Sequence, residues 1–142
     1  MKSARDFVST LKLQPFGTQD RRLFARRLEA ATSQLQGTLP RGASSWGLAR
    51  KLLNIFLRDC LYNTYLRRAH KLRKAEQYFE VPLDSIIAKR LRKEASKLPR
   101  WVGVKYLTPD VSAAYQTAAR LVGKQRGIAR VHLDAYWWGS RE

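Results

Sequence analysis

Apolar residues recur along this chain at three- and four-residue steps almost from end to end, the period of an amphipathic helix and not of a strand. Between Asp20 and Gln36, the positions Leu23, Phe24, Leu28, Ala31 and Leu35 make one such stripe. Gly37, Pro40 and Gly42 predict its end and a loop over Gly37–Ser45, where Ser44 or Ser45 can cap the next helix. That helix is predicted from Gly47 to about Arg68. Leu48, Leu52, Ile55, Phe56, Cys60 and Asn63 share one face, while Leu53, Leu57, Leu61 and Tyr65 widen the stripe, so the helix should be central and buried on more than one side.

The second half follows the same rules. Arg67–Lys74 reads as a polar, basic connection, and Tyr78–Leu83 as an extended, Pro-bounded segment too isolated to form a sheet. Asp84 stands at an N-cap position before Ser85–Leu91. Thr108-Pro109-Asp110 is a helix start with proline at the first helical position. Val111, Ala114, Tyr115, Ala118, Leu121 and Val122 form the apolar face behind it, and Gly123 or Gly127 ends it. A last short helix is expected over Arg130–Trp138. With no internal repeat, low-complexity tract or dividing linker, the expected architecture is all-α: one helical domain over 1–142 with about five to seven helices.

Composition adds the partner class. Lys and Arg number 28 against 11 Asp and Glu, a formal charge of +17 on 142 residues. With 44% hydrophobic residues the chain can build a core, so it is not a disordered basic tail. Such an excess of positive charge points to a polyanion, with nucleic acid ahead of an anionic membrane, because the aromatics do not line one amphipathic helix. No run approaches the roughly 18 apolar residues of a membrane span, and Met1–Gly17 lacks a signal peptide's apolar stretch. Cys60 is the single cysteine, which rules out an internal disulfide or a Cys-rich metal site and suits a reduced, intracellular compartment such as cytoplasm or nucleoid. The two histidines, His70 and His132, have no second ligand at metal spacing. A Gly-rich phosphate loop and a nucleophile elbow are also absent from the sequence. No metal and no cofactor are expected, and a monomer is favoured.

Two residues stand out as candidate chemistry. Lys51 lies in the first turns of the most apolar helix, where partial desolvation and the positive end of the helix dipole both favour the neutral amine a nucleophile needs. The alternative is a lysine that snorkels to solvent. Asp84 is a carboxylate fixed at a helix start, an ordinary cap whose rigidity would also serve next to developing positive charge.

Lys51-Leu-Leu-Asn-Ile-Phe-Leu, followed by Glu80-Val-Pro-Leu-Asp-Ser-Ile-Ile-Ala-Lys89, resembles the lysine helix and the aspartate helix start of helix-hairpin-helix DNA glycosylases. The ending Arg130-Val-His-Leu-Asp-Ala-Tyr-Trp-Trp138 is similar to the terminal motif of the archaeal-type 8-oxoguanine DNA glycosylases, which are bifunctional glycosylase/lyases of base excision repair. The resemblance covers roughly the last two-thirds of the chain. It implies a helix-hairpin-helix-like element, a catalytic Lys51 that forms a Schiff base with the sugar, and a catalytic Asp84 that stabilises the positively charged sugar. The loop Leu39–Gly47 would be the hairpin, with Arg41, Gly42, Ser44 and Ser45 on a DNA phosphate and Trp46 stacked on a base or wedged into the gap left by the flipped one. Lys89 and Arg90 would contact the backbone from the Lys89–Lys97 cluster. His132, Asp134 and Trp137 would line the pocket or hold structure. The chain departs from the family in its hairpin, where Arg41-Gly42-Ala43 follows Leu39-Pro40 in place of the usual Gly-Val-Gly, and its basic N-terminal part has no counterpart. The expected function is excision of a damaged base from duplex DNA. The alternative is a non-catalytic DNA- or RNA-binding domain on the same scaffold.

Overall fold

The computed structural model describes residues 3–139; the first two and last three residues of the expected 1–142 domain lie outside the described residues. Seven α-helices follow one another: α1 (Ala4–Thr10), α2 (Arg21–Thr38), α3 (Trp46–Tyr62), α4 (Thr64–Ala69), α5 (Ser85–Glu94), α6 (Pro109–Gln125) and α7 (Leu133–Gly139). Short 3₁₀ turns occupy several of the connections, and no strand occurs among the described residues, so the fold is all-α.

Side-chain caps start these helices where the free amides of a first turn need an acceptor. Asp20 caps α2, Ser45 caps α3, Asp84 caps α5, and Thr108 caps α6 ahead of Pro109. At the N-terminal end, Ser3 and Asp6 form a reciprocal capping box for α1.

Four expectations need correction. Gly37 does not close α2: the helix runs to Thr38 and stops because Pro40 forces Leu39 out of helical geometry (ψ 147°). The long third helix breaks at Asn63, whose amide donates to Asp59 and Cys60 while its side chain accepts from Leu66 N, ending α3 and starting α4 in one residue. The face of α3 expected to be secondary is the primary one, since Leu53, Leu57 and Leu61 are buried whereas Leu48, Leu52, Ile55 and Phe56 are only half-buried. The Arg67–Lys74 connection is itself helical, with α4 leading through a left-handed Lys71 (φ 54°) into a 3₁₀ turn over Leu72–Tyr78.

The apolar side chains gather into two clusters. The first joins Leu13, Phe16, Phe24, Leu28, Leu35, Leu53, Leu57, Leu72 and Phe79, with α2 laid along α3 as the most extensive helix pair. The N-terminal segment completes this cluster: Phe16 meets Phe24 edge-on, ring centroids 5.6 Å apart. The second cluster joins Val81, Leu83, Ile87, Leu91, Leu107, Tyr115, Val122, Leu133 and Trp137, built on α5 and α6. Polar side chains of α3 and α6 meet along the seam between the two, and that seam positions the candidate site.

Candidate functional site

Gly47, Arg50, Lys51 and Asn54 recur at helical spacing on the side of α3 that faces the second cluster. Gly47 is a requirement of close packing. A Cβ there would come within 2.1 Å of the Val104 carbonyl oxygen and 2.8 Å of Leu107 Cβ, so only glycine lets α3 seat against the 104–107 turn. Across the seam, the extended segment 79–84 is pinned from both sides. Gln116 of α6, 2% exposed, accepts from Val81 N (3.2 Å) and donates Nε2 to Val81 O (2.7 Å). Asn54 Nδ2 and Arg50 Nε both donate to Glu80 Oε1 at 3.0 Å. A lone amide backbone in an irregular segment thus finds its partners in side chains, as buried polar groups must.

Arg50 is the centre of this wall. It also pairs with Glu29 (3.2 Å), donates to the Thr32 hydroxyl (2.7 Å) and lies over the Trp46 ring, 4.9 Å from its centroid. Its guanidinium is held on several edges at once, as a planar multi-donor fork allows.

Lys51, one residue on, is arranged differently. It is half-buried in a narrow crevice walled by Asn54, Leu83, Leu107, Ser112 and Gln116, and among the described residues it has no hydrogen-bond or ion-pair partner. The crevice is closed in this conformation, with about 0 Å³ of space for a water-sized guest. Leu83 brings Asp84 to the edge of this region, but Asp84 is not in the crevice wall and forms no ion pair with Lys51. Its Oδ1 accepts from Ile87 N (2.8 Å), the N-cap bond of α5.

The hairpin residues sit between α2 and α3. Arg41 and Gly42 are exposed in a 3₁₀ turn. Ser44 Oγ donates to Gln36 O (3.0 Å) and Ser45 Oγ accepts from Leu48 N (3.1 Å), so both hydroxyls tie the turn to its helices. Trp46 donates Nε1 to Glu29 (3.2 Å) and carries Arg50 on its face, which places the indole as a strut between α2 and α3. On α5 the two basic candidates diverge. Lys89 faces solvent in an open groove of about 480 Å³ with Ser85, Arg92, Lys93 and Trp101, whereas Arg90 lies over the Trp137 ring (6.0 Å).

The terminal motif is not brought to Lys51. Asp134 pairs with Arg58 NH1 at 2.9 Å; His132 lies 3.1 Å from Glu76 through Nε2 and 3.0 Å from the Tyr62 hydroxyl through Nδ1; Trp137 is 5% exposed in the second cluster. Arg58 and Tyr62 are two to three turns beyond Lys51, roughly 10–16 Å along α3 at 1.5 Å per residue. Asp134 of α7 and His132 of the preceding turn are tied to the far end of that helix, while Trp137 packs in the second cluster.

Sequence reasoning passed over Arg50, Asn54, Glu80, Gln116 and Arg130, which organise the seam. The available signal was Arg50 and Asn54 themselves, polar residues four apart on the most apolar helix, a pattern that asks for buried partners. No group of three or more metal-type ligands occurs among the described residues, and none of their helices is long and apolar enough to cross a membrane. Family models, curated proteins and solved structures yield no match to this chain.

Proposed function

We propose that this chain is a DNA glycosylase with lyase activity, acting on a damaged or modified base through Lys51 and Asp84. The observation that supports this reading is the placement of Lys51: an unpartnered amine in the first turns of α3, against the segment that delivers Asp84. In the proposed reaction Lys51 Nζ, as the neutral amine, attacks C1′ of a flipped nucleotide. The N-glycosidic bond breaks, the base leaves with a proton, and ring opening gives a Schiff base between Nζ and C1′. Loss of a C2′ proton then expels the 3′ phosphate. Asp84, rigid as a cap, stabilises the positive charge on the sugar. Flipping costs a few kcal/mol, least for a damaged base, and the closed crevice requires that DNA binding part α3 from Leu83 and Leu107.

Borohydride trapping across duplexes carrying 8-oxoguanine, uracil or an abasic site tests this directly. The wild type is expected to give a covalent complex with at least one duplex. Lys51→Gln should lose it by a factor of at least 100 while DNA binding stays within about threefold. Trapping that survives Lys51→Gln overturns Lys51 as the nucleophile.

A second reading, a non-catalytic nucleic-acid-binding domain, is favoured by the contrast between the closed crevice at Lys51 and the open basic groove that Ser85, Lys89, Arg92 and Lys93 of α5 form with Trp101. It predicts binding that falls steeply with salt, no trapping on any duplex, and indifference to Asp84→Asn.

A further inference from the structure

A cleft of about 330 Å³ opens against Arg50 and Glu80, with Lys51 absent from its lining. Arg21 of α2, Arg50 of α3, Arg120 of α6 and Arg130 of the turn before α7 all line it, so four guanidiniums converge from four separate segments. The only carboxylate in the lining is Glu80, and its Oε1 is already shared by Arg50 and Asn54. Arg50 is further satisfied by Glu29.

Arg130 is the unusual member. Its Nε donates to Phe79 O (2.9 Å), NH2 to Tyr78 O (2.8 Å) and NH1 to Gln116 O (3.4 Å). These neutral carbonyls aim the guanidinium but do not cancel its charge, and among the described residues no carboxylate lies within ion-pair distance. Burial, ahead of the neighbouring Arg120, Arg21 and Arg50, pushes its pKa below the ordinary arginine value, while Glu80 works the other way. Arg21 and Arg120 are exposed at the rim and have no hydrogen-bond or ion-pair partner among the described residues. Four guanidiniums against Glu80 and the Glu29 that pairs with Arg50 leave the cleft with an excess of two positive charges in a concave site, a costly arrangement unless an anion completes it. Phe24, Leu28 and Tyr78 give the same cleft an apolar and aromatic side, and its volume is at the lower end for small-molecule pockets, which suits one nucleotide and not a duplex.

We propose that this cleft binds a phosphate monoester of nucleotide size, either on a free nucleotide or on the 5′-phosphorylated end of a nucleic-acid strand. The excess charge matches the nearly dianionic monoester better than the single charge of an internal diester. Arginine forks suit its oxygens. The proposal stands apart from the Lys51 chemistry, because Lys51 does not line this cleft.

The test uses the full chain and calorimetric titration with four probes at one salt concentration: inorganic phosphate, adenosine 5′-monophosphate, and a 12-nucleotide single strand with and without a 5′-phosphate. The phosphorylated strand is expected to bind at least fivefold more tightly than its unphosphorylated twin. Arg21→Gln combined with Arg120→Gln should abolish that preference while leaving the melting temperature and any Lys51-dependent trapping in place, since both side chains lie at the rim. Binding of the nucleotide and inorganic phosphate as well as the strand identifies a free-phosphate site; binding of the phosphorylated strand alone identifies a strand-end site. Equal affinity for the two strands together with no heat from phosphate or nucleotide overturns the proposal, as does a preference that survives the double substitution. Lys51→Gln should leave the preference intact, so failure here and failure of the lyase reading are separable.

Discussion

Arg50 and Lys51 are consecutive on α3, yet the regions they serve are built on opposite principles. The arginine cleft is open, and its buried cations are held: Arg50 by Glu29, Glu80, Thr32 and the Trp46 ring, Arg130 by three backbone carbonyls. The lysine crevice is closed, and among the described residues its amine has no hydrogen-bond or ion-pair partner. The difference follows from the two head groups. A guanidinium has five donors in a fixed plane and can be locked by many partners without losing its charge; an ammonium is a point charge that can give up its proton when desolvated. The same division runs through the molecule. Every ion pair among the described residues uses an arginine or His132, and no lysine takes part. Some of the +17 charge is therefore built into the fold through Arg50, Arg58 and Arg126, while Arg21, Arg41 and Arg120 stay exposed alongside most of the lysines.

The comparison breaks most severely if the wall between the regions is removed. Arg50→Ala leaves Glu80, 13% exposed at its side chain, without its cation, while Thr32 keeps its bond to Leu28 O and the exposed Glu29 its bond from Trp46. Removing one partner of such a pair is expected to cost about 3 kcal/mol, read as a lower urea midpoint at unchanged slope. On the proposed lyase reading it should also weaken borohydride trapping, because Glu80 anchors the segment that carries Asp84. A loss under 1 kcal/mol would show that the wall is not what separates the two sites.

Glu80→Gln sharpens the contrast by moving its two halves in opposite directions. Glutamine can keep the hydrogen bonds to Arg50 and Asn54 but removes the only negative charge lining the cleft. Stability should fall by about 1–2 kcal/mol while the affinity for a 5′-phosphorylated strand rises severalfold. Paired chemical denaturation and titration check the two signs; a parallel fall in both would mean that Glu80 serves the ligand and not only the wall.

Much of the scaffold was legible in the sequence because it depends on local chemistry. Asp84 and Thr108 with Pro109 declared their helix starts, and both caps are made in the fold. Asn63 hid its break because a helix-compatible stripe continues through Tyr65, while the decision is made by one side chain that prefers to accept from Leu66 N. The site was legible only in part. Lys51 and Asp84 could be named from their positions, but their surroundings depend on contacts 30 or more residues apart, such as Arg50 with Glu80 and Val81 with Gln116. Arg130 reads in the sequence as the start of the last short helix. Only the fold shows that it is turned inward among carbonyls while Arg120 stays at the rim.

Asp84 allows the structural and the chemical use of one carboxylate to be separated, at an expected scale of about 1 kcal/mol. Asparagine is as good an N-cap as aspartate, so Asp84→Asn should leave stability within a few tenths of a kcal/mol, whereas Asp84→Ala should lose about 1 kcal/mol. Both should suppress trapping if the charge acts on the sugar. Thermal melts beside trapping yields make the distinction, and full trapping in Asp84→Asn would reduce Asp84 to a cap.

Cys60 offers a second nucleophile type on α3 for comparison with Lys51. Both are nucleophile types on one helix, but Cys60 lies inside the first apolar cluster, 3% exposed, with no polar seam beside it. Burial, with the Asp59 charge adding to it, pushes the thiol from its ordinary value of 9.0 up to about 11. The neutral thiol is thus favoured in the folded chain, and a thiol reagent at pH 8 should react only as fast as the protein opens. The sign of the pH effect follows. An unfolded chain ionises this thiol near pH 9 and the folded one only near 11, so the stabilisation is complete below pH 9 and is lost as pH rises toward 11. Lysines and tyrosines titrate in the same range, so the measurement is a difference: wild type should lose more stability than Cys60→Ala between pH 9 and 11. Equal losses would mean that burial in the first cluster does not hold the Cys60 thiol neutral.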